Sequence, residues 1–348
     1  AAGATLHVVP MRRITTSGPA VRWLAYIAGW PVAVVRLTWL ARRLRADVIH
    51  SNSLHSWYGW AVAALLRRPH VWHAREIVTQ SAGALKLERW LARRFATRVI
   101  AISAAVAAQL DPGNVVVVYD EPDPATFYPA RAGRFRAEVG ISDDVPLVGA
   151  ASRIDTWKGV DVLLDAVPSV QAARPDVQVV IAGSLVQAKE AYAARLAARA
   201  AELAGVHWLG PRTDVADLLA DLDVFVLPST QPEPFGLVLV EALASGVPVV
   251  ATDSGGPVEV LDGVEPEVGR LVPAGNVDAL AAAVCDLLGL LTDGRSSTAE
   301  RQARPVRRRV TAPPFADLFD QVVAEFIPFS ARWRRGKGRG VPPRNAPR

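Results

Sequence analysis

The stretch from Leu227 to Gly256, LPSTQPEPFGLVLVEALASGVPVVATDSGG, places the tightest constraint on how this chain can fold. It predicts a buried strand at Val224–Leu227, a polar loop, a helix that begins at Pro234–Gly236, a Val-rich strand and a Gly-Gly turn. This alternation is typical of a parallel α/β sheet, because a crossover helix must carry the chain back after each strand.

Two glutamates frame the predicted helix: Glu233 precedes it, and Glu241 lies on it after seven further residues. A helix N-terminus offers unpaired N–H groups and partial positive charge, which suits a phosphate. Gly236 allows close approach of a ligand to the backbone, and a nearby carboxylate can accept hydrogen bonds from vicinal sugar hydroxyls. The pattern predicts a nucleotide-sugar site; for either glutamate alone, a solvated acid beside a capped helix is the competing interpretation.

The segment EPFGLVLVEALASGVPVVAT resembles the signature of the retaining GT-B glycosyltransferases of group 1, the family 4-like enzymes. Glu233 and Glu241 match the two-glutamate motif of that group. The resemblance implies that Glu233 contacts the donor sugar and acts in catalysis, and that Glu241 binds the donor ribose. It also implies donor contacts for the motif residues Phe235, Gly236 and Leu237.

The resemblance implies an α/β protein with the GT-B fold, in which two Rossmann-like domains face each other across a cleft. Strands and helices alternate in both halves of the chain, as this fold requires. We expect an acceptor-side domain at 1–140, a donor domain at 141–312, a helix at 313–330 that packs back on the first domain, and a basic disordered tail at 331–348. A Pro-, Gly- and charge-rich stretch, 119–146, reads as the linker.

Two cations follow the predicted strand Leu147–Ala151 in the segment SRIDTWKG. Arg153 and Lys158 match the family's Arg and Lys pair, which clamps the departing diphosphate. Gly183 ends the next strand, where it either admits the donor or makes an ordinary turn. Arg212 lies in the loop WLGPRTD, which resembles the segment near the nucleotide base.

In the first domain, VWHARE ends a strand with His73. The family has a His near the reacting sugar in a similar motif, so His73 is a catalytic candidate; a structural His is the alternative. Arg75 is an acceptor-side candidate or the partner of Glu76 in a local ion pair. Asn52 and Ser53 end the preceding strand and are further acceptor-side candidates, because open α/β sheets bind ligands at the carboxyl ends of strands.

No metal and no cofactor are expected, the nucleotide sugar being a substrate. The chain has no Walker loop, and the acidic DLD triplet at Asp221–Asp223 precedes a buried strand, a poor position for metal ligands. The single cysteine, Cys285, excludes a disulfide framework and favours a reducing cytoplasm.

The net charge of +5 combines a basic first 130 residues, an acidic middle and a tail with seven Lys/Arg and no acid. Residues 21–45 are apolar with interleaved Trp and Arg, but the uncharged run of 13 residues between Arg22 and Arg36 is shorter than the ~20 that a spanning helix needs. A core helix pair broken at Pro31 and a membrane-surface segment both fit. We therefore expect cytoplasmic localisation, with an anionic inner membrane surface as a partner and no nucleic acid.

The predicted reaction moves a sugar from an NDP-sugar to a glycan, lipid-linked or small-molecule acceptor with retained configuration. A GT-B nucleotide-sugar epimerase and a non-enzymatic polyanion-binding protein are the alternatives. The strand predicted at Thr5–Val9 resembles a later strand of the first domain, and no Gly-rich loop precedes it. We therefore expect a first domain truncated at its N-terminus, in a chain that is poorly soluble or inactive but still binds nucleotide.

Overall fold

The structure is a computed structural model that describes residues 5–11, 20–79, 81–110, 112–129, 133–187 and 189–292. The chain forms two compact units. Of these residues, those up to Ile102 and those within Val106–Val118 belong to the first unit. Ser103–Ala105 and the described residues from Tyr119 onwards belong to the second. The helix and tail expected at 313–330 and 331–348 lie outside the described residues.

The first unit contains a four-stranded parallel sheet in the order β1-β2-β3-β4. The elements in this part of the chain are α1 (Ala20–Arg43), β1 (Ile49–Asn52), α2 (Gly59–Leu66), β2 (His70–Ala74), α3 (Ala82–Phe95), β3 (Arg98–Ala101), α4 (Ala104–Ala108) and β4 (Val115–Val117). Every residue of β2 is buried, because β2 lies between two other strands.

The second unit contains a six-stranded parallel sheet in the order β10-β9-β8-β5-β6-β7. Its elements are α5 (Arg134–Val139), β5 (Leu147–Ala151), α6 (Val160–Ala173), β6 (Gln178–Ala182), α7 (Glu190–Glu202), β7 (Val206–Gly210), α8 (Val215–Asp221), β8 (Val224–Leu227), α9 (Leu237–Ala244), β9 (Val249–Thr252), α10 (Gly256–Val260), β10 (Gly269–Val272) and α11 (Val277–Thr292). Strands β5 and β8 are continuous buried runs, as expected for a parallel sheet covered on both faces.

The order of the strands reverses between β5 and β8. From β5 the chain adds β6 and β7 on one side, and then returns to add β8, β9 and β10 on the other. Helices α6, α7 and α11 cover one apolar cluster, and α8 and α9 pack in a second. The carboxyl ends of β5 and β8 therefore form the topological switch point of a doubly wound sheet.

The strand predicted at Thr5–Val9 is wrong. No strand forms within residues 5–11, and the side chains of Leu6 and Val8 are 87% and 84% exposed. A strand exists only through hydrogen bonds to a neighbour, and among the described residues the segment has no ladder partner. An apolar sequence with strand-like alternation is therefore not enough to form a strand without a neighbouring strand.

Of the two interpretations given for residues 21–45, the helix pair is wrong, because α1 is one helix of 24 residues with Pro31 inside it. Proline removes one intrahelical hydrogen bond, but Tyr26 and Val34 on either side pack into the same cluster with Tyr58 of α2. This packing stabilises the helix on both sides of Pro31. Among the described residues, one helical segment, Leu24–Arg43, is both long enough and apolar enough to cross a membrane, judged by length and composition alone.

The linker predicted at 119–146 is largely part of the second unit, which begins at Tyr119. Phe135 and Arg136 of α5 are 2% and 0% exposed. The Arg136 guanidinium bonds the Asp221 carbonyl and the Asp223 carboxylate at 3.0 and 2.6 Å. Charged residues suggested a solvated segment, but here they form a buried polar network.

The carboxylate of Asp221 anchors this segment, since it accepts N–H groups of Gly133, Phe135 and Arg136 at 2.8, 2.9 and 3.3 Å. Asp221→Ala should destabilise the protein by roughly 3 kcal/mol or more, because it removes the acceptor of three N–H groups, and each buried group left unsatisfied costs about 1–3 kcal/mol. Asp217→Ala, also on α8, removes only an exposed pair with Arg134 and should cost at most about 1 kcal/mol. Urea unfolding of both variants tests this; equal losses would contradict it.

Candidate active site

Two loops meet at the switch point of the second sheet. Residues 152–159 follow β5, and residues 228–236 follow its neighbour β8. Ligands of open α/β sheets bind outside the carboxyl ends of strands at such a point. The predicted residues Arg153, Lys158 and Glu233 all lie on these two loops.

Lys158 and Glu233 form an ion pair at the centre of these loops. The Lys158 Nζ lies 2.6 Å from Glu233 Oε2, and the side chains are only 11% and 8% exposed. Ser229 Oγ donates to the same carboxylate oxygen at 2.9 Å, and the ammonium lies 4.1 Å from the Trp157 ring centroid. The structure thus brings two predicted catalytic residues together and adds Ser229, which the sequence analysis missed.

The Gly-Gly turn at Gly255–Gly256 packs against the backbone of the Glu233 loop. Glu233 accepts the Gly256 N–H at 2.7 Å and donates its own N–H to the Ser254 carbonyl at 3.2 Å. A Cβ at Gly255 would lie 2.2 Å from the Glu233 carbonyl oxygen, and its φ of +81° also disfavours other residues. The turn therefore fixes the backbone that carries Glu233.

Helix α9 begins directly after this loop at Gly236, whose φ is +87°. Gly236 is the N-cap residue of α9 and, as a glycine, provides no side-chain cap for the first turn. Phe235 is 4% exposed, and its ring stacks on Tyr119 at 5.8 Å. Leu237, the first helical residue, is half-buried. The N-terminal end of α9 is thus held in place, and Gly236 gives its first N–H groups no side-chain cap. Free N–H groups at a helix N-terminus suit an anion.

Glu241 lies just over one turn into α9 and is half-buried. Within the described residues, no hydrogen bond or ion pair to its carboxylate is found. Burial raises the pKa of Glu241 above its ordinary value. A desolvated carboxylate of this kind is a strong acceptor for hydroxyl groups of a ligand.

The other predicted donor residues differ in their surroundings. Arg153 is exposed on the loop after β5. Packing explains why a glycine occupies position 183, because a Cβ there would lie 2.3 Å from the Ser152 carbonyl oxygen. This favours the turn interpretation without excluding the donor-contact interpretation.

The Arg212 side chain is engaged in contacts within the protein and is not left available for a ligand. Its guanidinium bonds the carboxylates of Glu138 and Asp214, with Nε 2.8 Å from Asp214 Oδ1. These bonds to Arg212 lower the pKa values of Glu138 and Asp214. The loop after β7 is thereby tied to α5, and the geometry gives no direct support to a contact with the nucleotide base.

In the first unit, the predicted acceptor-side residues lie at the ends of β1 and β2. Asn52 is exposed. Ser53 donates its hydroxyl proton to Glu76, whose other carboxylate oxygen accepts the backbone N–H groups of Leu54 and Arg75 at 3.0 and 3.1 Å. Glu76 therefore joins the two strand-end loops through backbone contacts, a role that the ion-pair hypothesis missed.

His73 lies in β2, beside Asn52 of β1. Its side chain is 2% exposed, and its ring stacks on His50 with centroids 5.8 Å apart. The ring is therefore not open to solvent in this structure. A catalytic role for His73 stays a prediction.

The sequence analysis also missed a His–Glu pair near the end of β1. Glu88 on α3 is 1% exposed, and its Oε1 lies 2.7 Å from His55 Nδ1 and accepts the Trp57 Nε1–H at 3.3 Å. The bond to Glu88 raises the pKa of His55. The sequence contained a sign that Glu88 is buried, because it lies on the apolar face of α3, three residues before Leu91.

The described part of the chain contains no group of three or more His, Cys, Asp or Glu side chains placed to hold a metal ion. Asp221 and Asp223 of the DLD triplet instead bind backbone N–H groups and Arg136.

Two family profiles match the chain, one for each unit. Residues 5–120 match "Glycosyltransferase Family 4", and residues 145–289 match "Glycosyl transferases group 1". Alpha-maltose-1-phosphate synthase of Mycobacterium tuberculosis is 33% identical over 298 residues, which cover 76% of this chain and 74% of the relative. The lipopolysaccharide core biosynthesis mannosyltransferase LpsB of Rhizobium meliloti is 30% identical, with 68% and 77% covered.

Solved structures give the same result. Anabaena Alr3699/HepE in complex with UDP and glucose superposes with a TM-score of 0.72 and 28% identity, covering 84% of this chain and 80% of that one. Sucrose-phosphate synthase from Thermosynechococcus elongatus shares the fold, with a TM-score of 0.70 and 24% identity. The superposition covers 87% of this chain and 78% of the synthase. With its two parallel α/β units and the Glu233–Glu241 motif at the switch point, this chain belongs to the group 1 glycosyltransferases and is an enzyme of the GT-B fold.

Proposed function

We propose that this enzyme moves a hexosyl group from an NDP-sugar to a hydroxyl group of a glycan, lipid-linked or small-molecule acceptor, with retention and without a metal ion. The observation that carries the proposal is the Lys158–Glu233 pair, whose glutamate lies on the loop that leads directly into the N-terminus of α9. The HepE structures with UDP and UDP-glucose support a nucleotide-sugar donor. The relatives named as a maltose-1-phosphate synthase and a mannosyltransferase support hexosyl transfer.

The donor is held by groups of the second unit. The diphosphate lies at the start of α9, where Gly236 leaves the backbone accessible and the helix dipole favours an anion. Glu241 accepts hydrogen bonds from the ribose hydroxyls, which suits a half-buried carboxylate with no partner among the described residues. Phe235, Leu237 and Gly183 shape the surrounding surface.

Transfer breaks the bond between the anomeric carbon and the diphosphate, and forms a bond to the acceptor oxygen on the same face. The acceptor proton passes to the departing diphosphate. Arg153 and Lys158 stabilise the negative charge that grows on this leaving group, a form of catalysis that acts mainly in the transition state. Glu233 positions the donor sugar through the carboxylate that Lys158 and Ser229 already hold.

Acceptor contacts come from the strand ends of the first unit, where Asn52, Ser53 and Arg75 lie, with His73 as a further candidate. We place the reaction on the cytoplasmic side, where nucleotide sugars are made and a free thiol such as that of Cys285 persists.

A direct test is a thermal-shift screen of the 348-residue chain with UDP-, GDP-, ADP- and TDP-sugars, followed by calorimetry of the best donor. We expect one base to stabilise the protein, since a ligand that binds only the folded state raises its melting temperature. No shift with any donor contradicts the proposal. Epimerised donor in the absence of an acceptor indicates the epimerase alternative.

Glu241→Gln should weaken the binding of this donor at least ~10-fold, because charge-assisted hydrogen bonds to the ribose contribute roughly 1.5–3 kcal/mol. Calorimetry measures the change, and Glu202→Gln, an exposed glutamate of α7, is the matched control. Unchanged affinity in Glu241→Gln refutes the ribose assignment.

The same Glu241→Gln change should increase the stability of the free enzyme at neutral pH. The pKa of Glu241 is raised in the folded state, so ionisation penalises the folded state once the pH exceeds that pKa. The amide lacks this penalty. The gain should therefore vanish as the pH falls towards the ordinary carboxyl pKa of about 4.3. Unfolding curves at pH 7 and pH 4 check the sign; a gain that grows on acidification contradicts it.

Arg153→Ala should lower kcat roughly 100-fold at saturating donor, the range seen when one transition-state donor is lost. Arg153 is exposed, so stability should change by less than about 0.5 kcal/mol. Lys158→Ala is less informative, since it also leaves the Glu233 carboxylate desolvated. Arg195→Ala, exposed on α7, is the control. Normal turnover in Arg153→Ala excludes the clamp.

A further inference from the structure

Helix α1 has two apolar faces, and only one of them is covered. Towards the first unit, Tyr26, Ala33 and Val34 are buried in a cluster with α2. On the opposite side, four exposed apolar side chains are spaced three, eight and four residues apart, which are close to whole turns of an α-helix. They are Leu24 (65% exposed), Ile27 (61%), Val35 (65%) and Trp39 (61%), and we call them the outer face of α1.

The apolar surface continues beyond the helix. Residues 7–10 and α1 line a groove of about 560 Å³, which Val35, Arg36, Trp39 and Leu40 border on the helix side. Leu6 and Val8 add two more exposed apolar side chains. A contiguous patch of this kind marks an interaction surface, whereas scattered exposed apolar residues do not.

The charges on α1 and the residues just after it are all of one sign. Residues 20–46 contain no Asp or Glu, and Arg36, Arg42, Arg43 and Arg45 are exposed. The Arg43 guanidinium lies 5.3 Å from the centroid of the Trp39 ring. Apolar residues and Trp flanked by Arg match the interface of a bilayer that carries anionic headgroups.

We propose that the outer face of α1 docks on the surface of an anionic phospholipid bilayer, with the helix axis in the membrane plane. Leu24–Arg43 is long enough to span a membrane, but its inner face is packed on α2, and a spanning helix would lose that packing. Trp39 and Val35 enter the headgroup region, and the arginines contact lipid phosphates. This proposal concerns a surface outside the donor site and does not depend on the transferase proposal.

The test uses the 348-residue chain and sedimentation with vesicles of phosphatidylglycerol or of phosphatidylcholine alone. We expect binding to phosphatidylglycerol vesicles at low salt, with a large loss on phosphatidylcholine and at high salt. Trp39→Glu and Val35→Glu should reduce the partition coefficient at least ~10-fold, and Arg42→Ala roughly fivefold, because each arginine near such a surface contributes about that factor.

Trp90→Glu is the matched control, since Trp90 is 57% exposed on α3 of the same unit. It should bind vesicles as the unchanged protein does, and circular dichroism should show that each variant is folded. Absence of binding to phosphatidylglycerol overturns the proposal, as does an equal loss in Trp90→Glu. A dimer in analytical ultracentrifugation that Trp39→Glu converts to a monomer also overturns it, because the face then belongs to a second copy of the chain.

Discussion

The contact on which the candidate site depends is the ion pair between Lys158 and Glu233. It joins the loops after β5 and β8, and both side chains are almost fully removed from water. Removal of either partner leaves a desolvated charge, which is why such pairs are costly to break. The pair also restricts the donor: a diphosphate that engages Lys158 must share the ammonium with Glu233. Arg153 is exposed, so in the proposed reaction it is the cation that the anionic donor meets first.

The Gly-Gly turn connects this pair to the rest of the second unit. Its backbone bonds hold the Glu233 loop, and the chain continues directly into α10, where Glu259 accepts a hydrogen bond from the Tyr119 hydroxyl at 2.9 Å. The same carboxylate accepts the N–H groups of Ala104 and Ala105 at 2.8 and 3.0 Å. These residues lie where the sequence passes from one unit to the other.

Carboxylates that accept several hydrogen bonds tie chain segments together in both units, and two of the three, Asp221 and Glu88, are buried. Asp221 holds the segment before β5, Glu76 joins two strand-end loops, and Glu88 pairs with His55. Each accepts bonds from backbone or ring N–H groups, which offset the cost of desolvating the carboxylate, although Oε2 of Glu88 has no partner among the described residues. The sequence analysis considered Asp221 only as a poor metal ligand and Glu76 only as an ion-pair partner, and it missed Glu88, because composition alone makes a charged side chain look solvated.

The sequence by itself determined most of the architecture and half of the site. Strands β5 and β8 could be placed to the residue, because a parallel strand covered on both faces is an unbroken apolar run. Gly236 and the two glutamates marked the start of α9. Tertiary structure decided the rest. The ion-pair partner of Glu233 lies 75 residues away in sequence, and the guanidinium of Arg212 is bonded to the carboxylate of Glu138. Thr5–Val9 has strand character but forms no strand within the described residues, since a strand exists only when a neighbour supplies its hydrogen bonds.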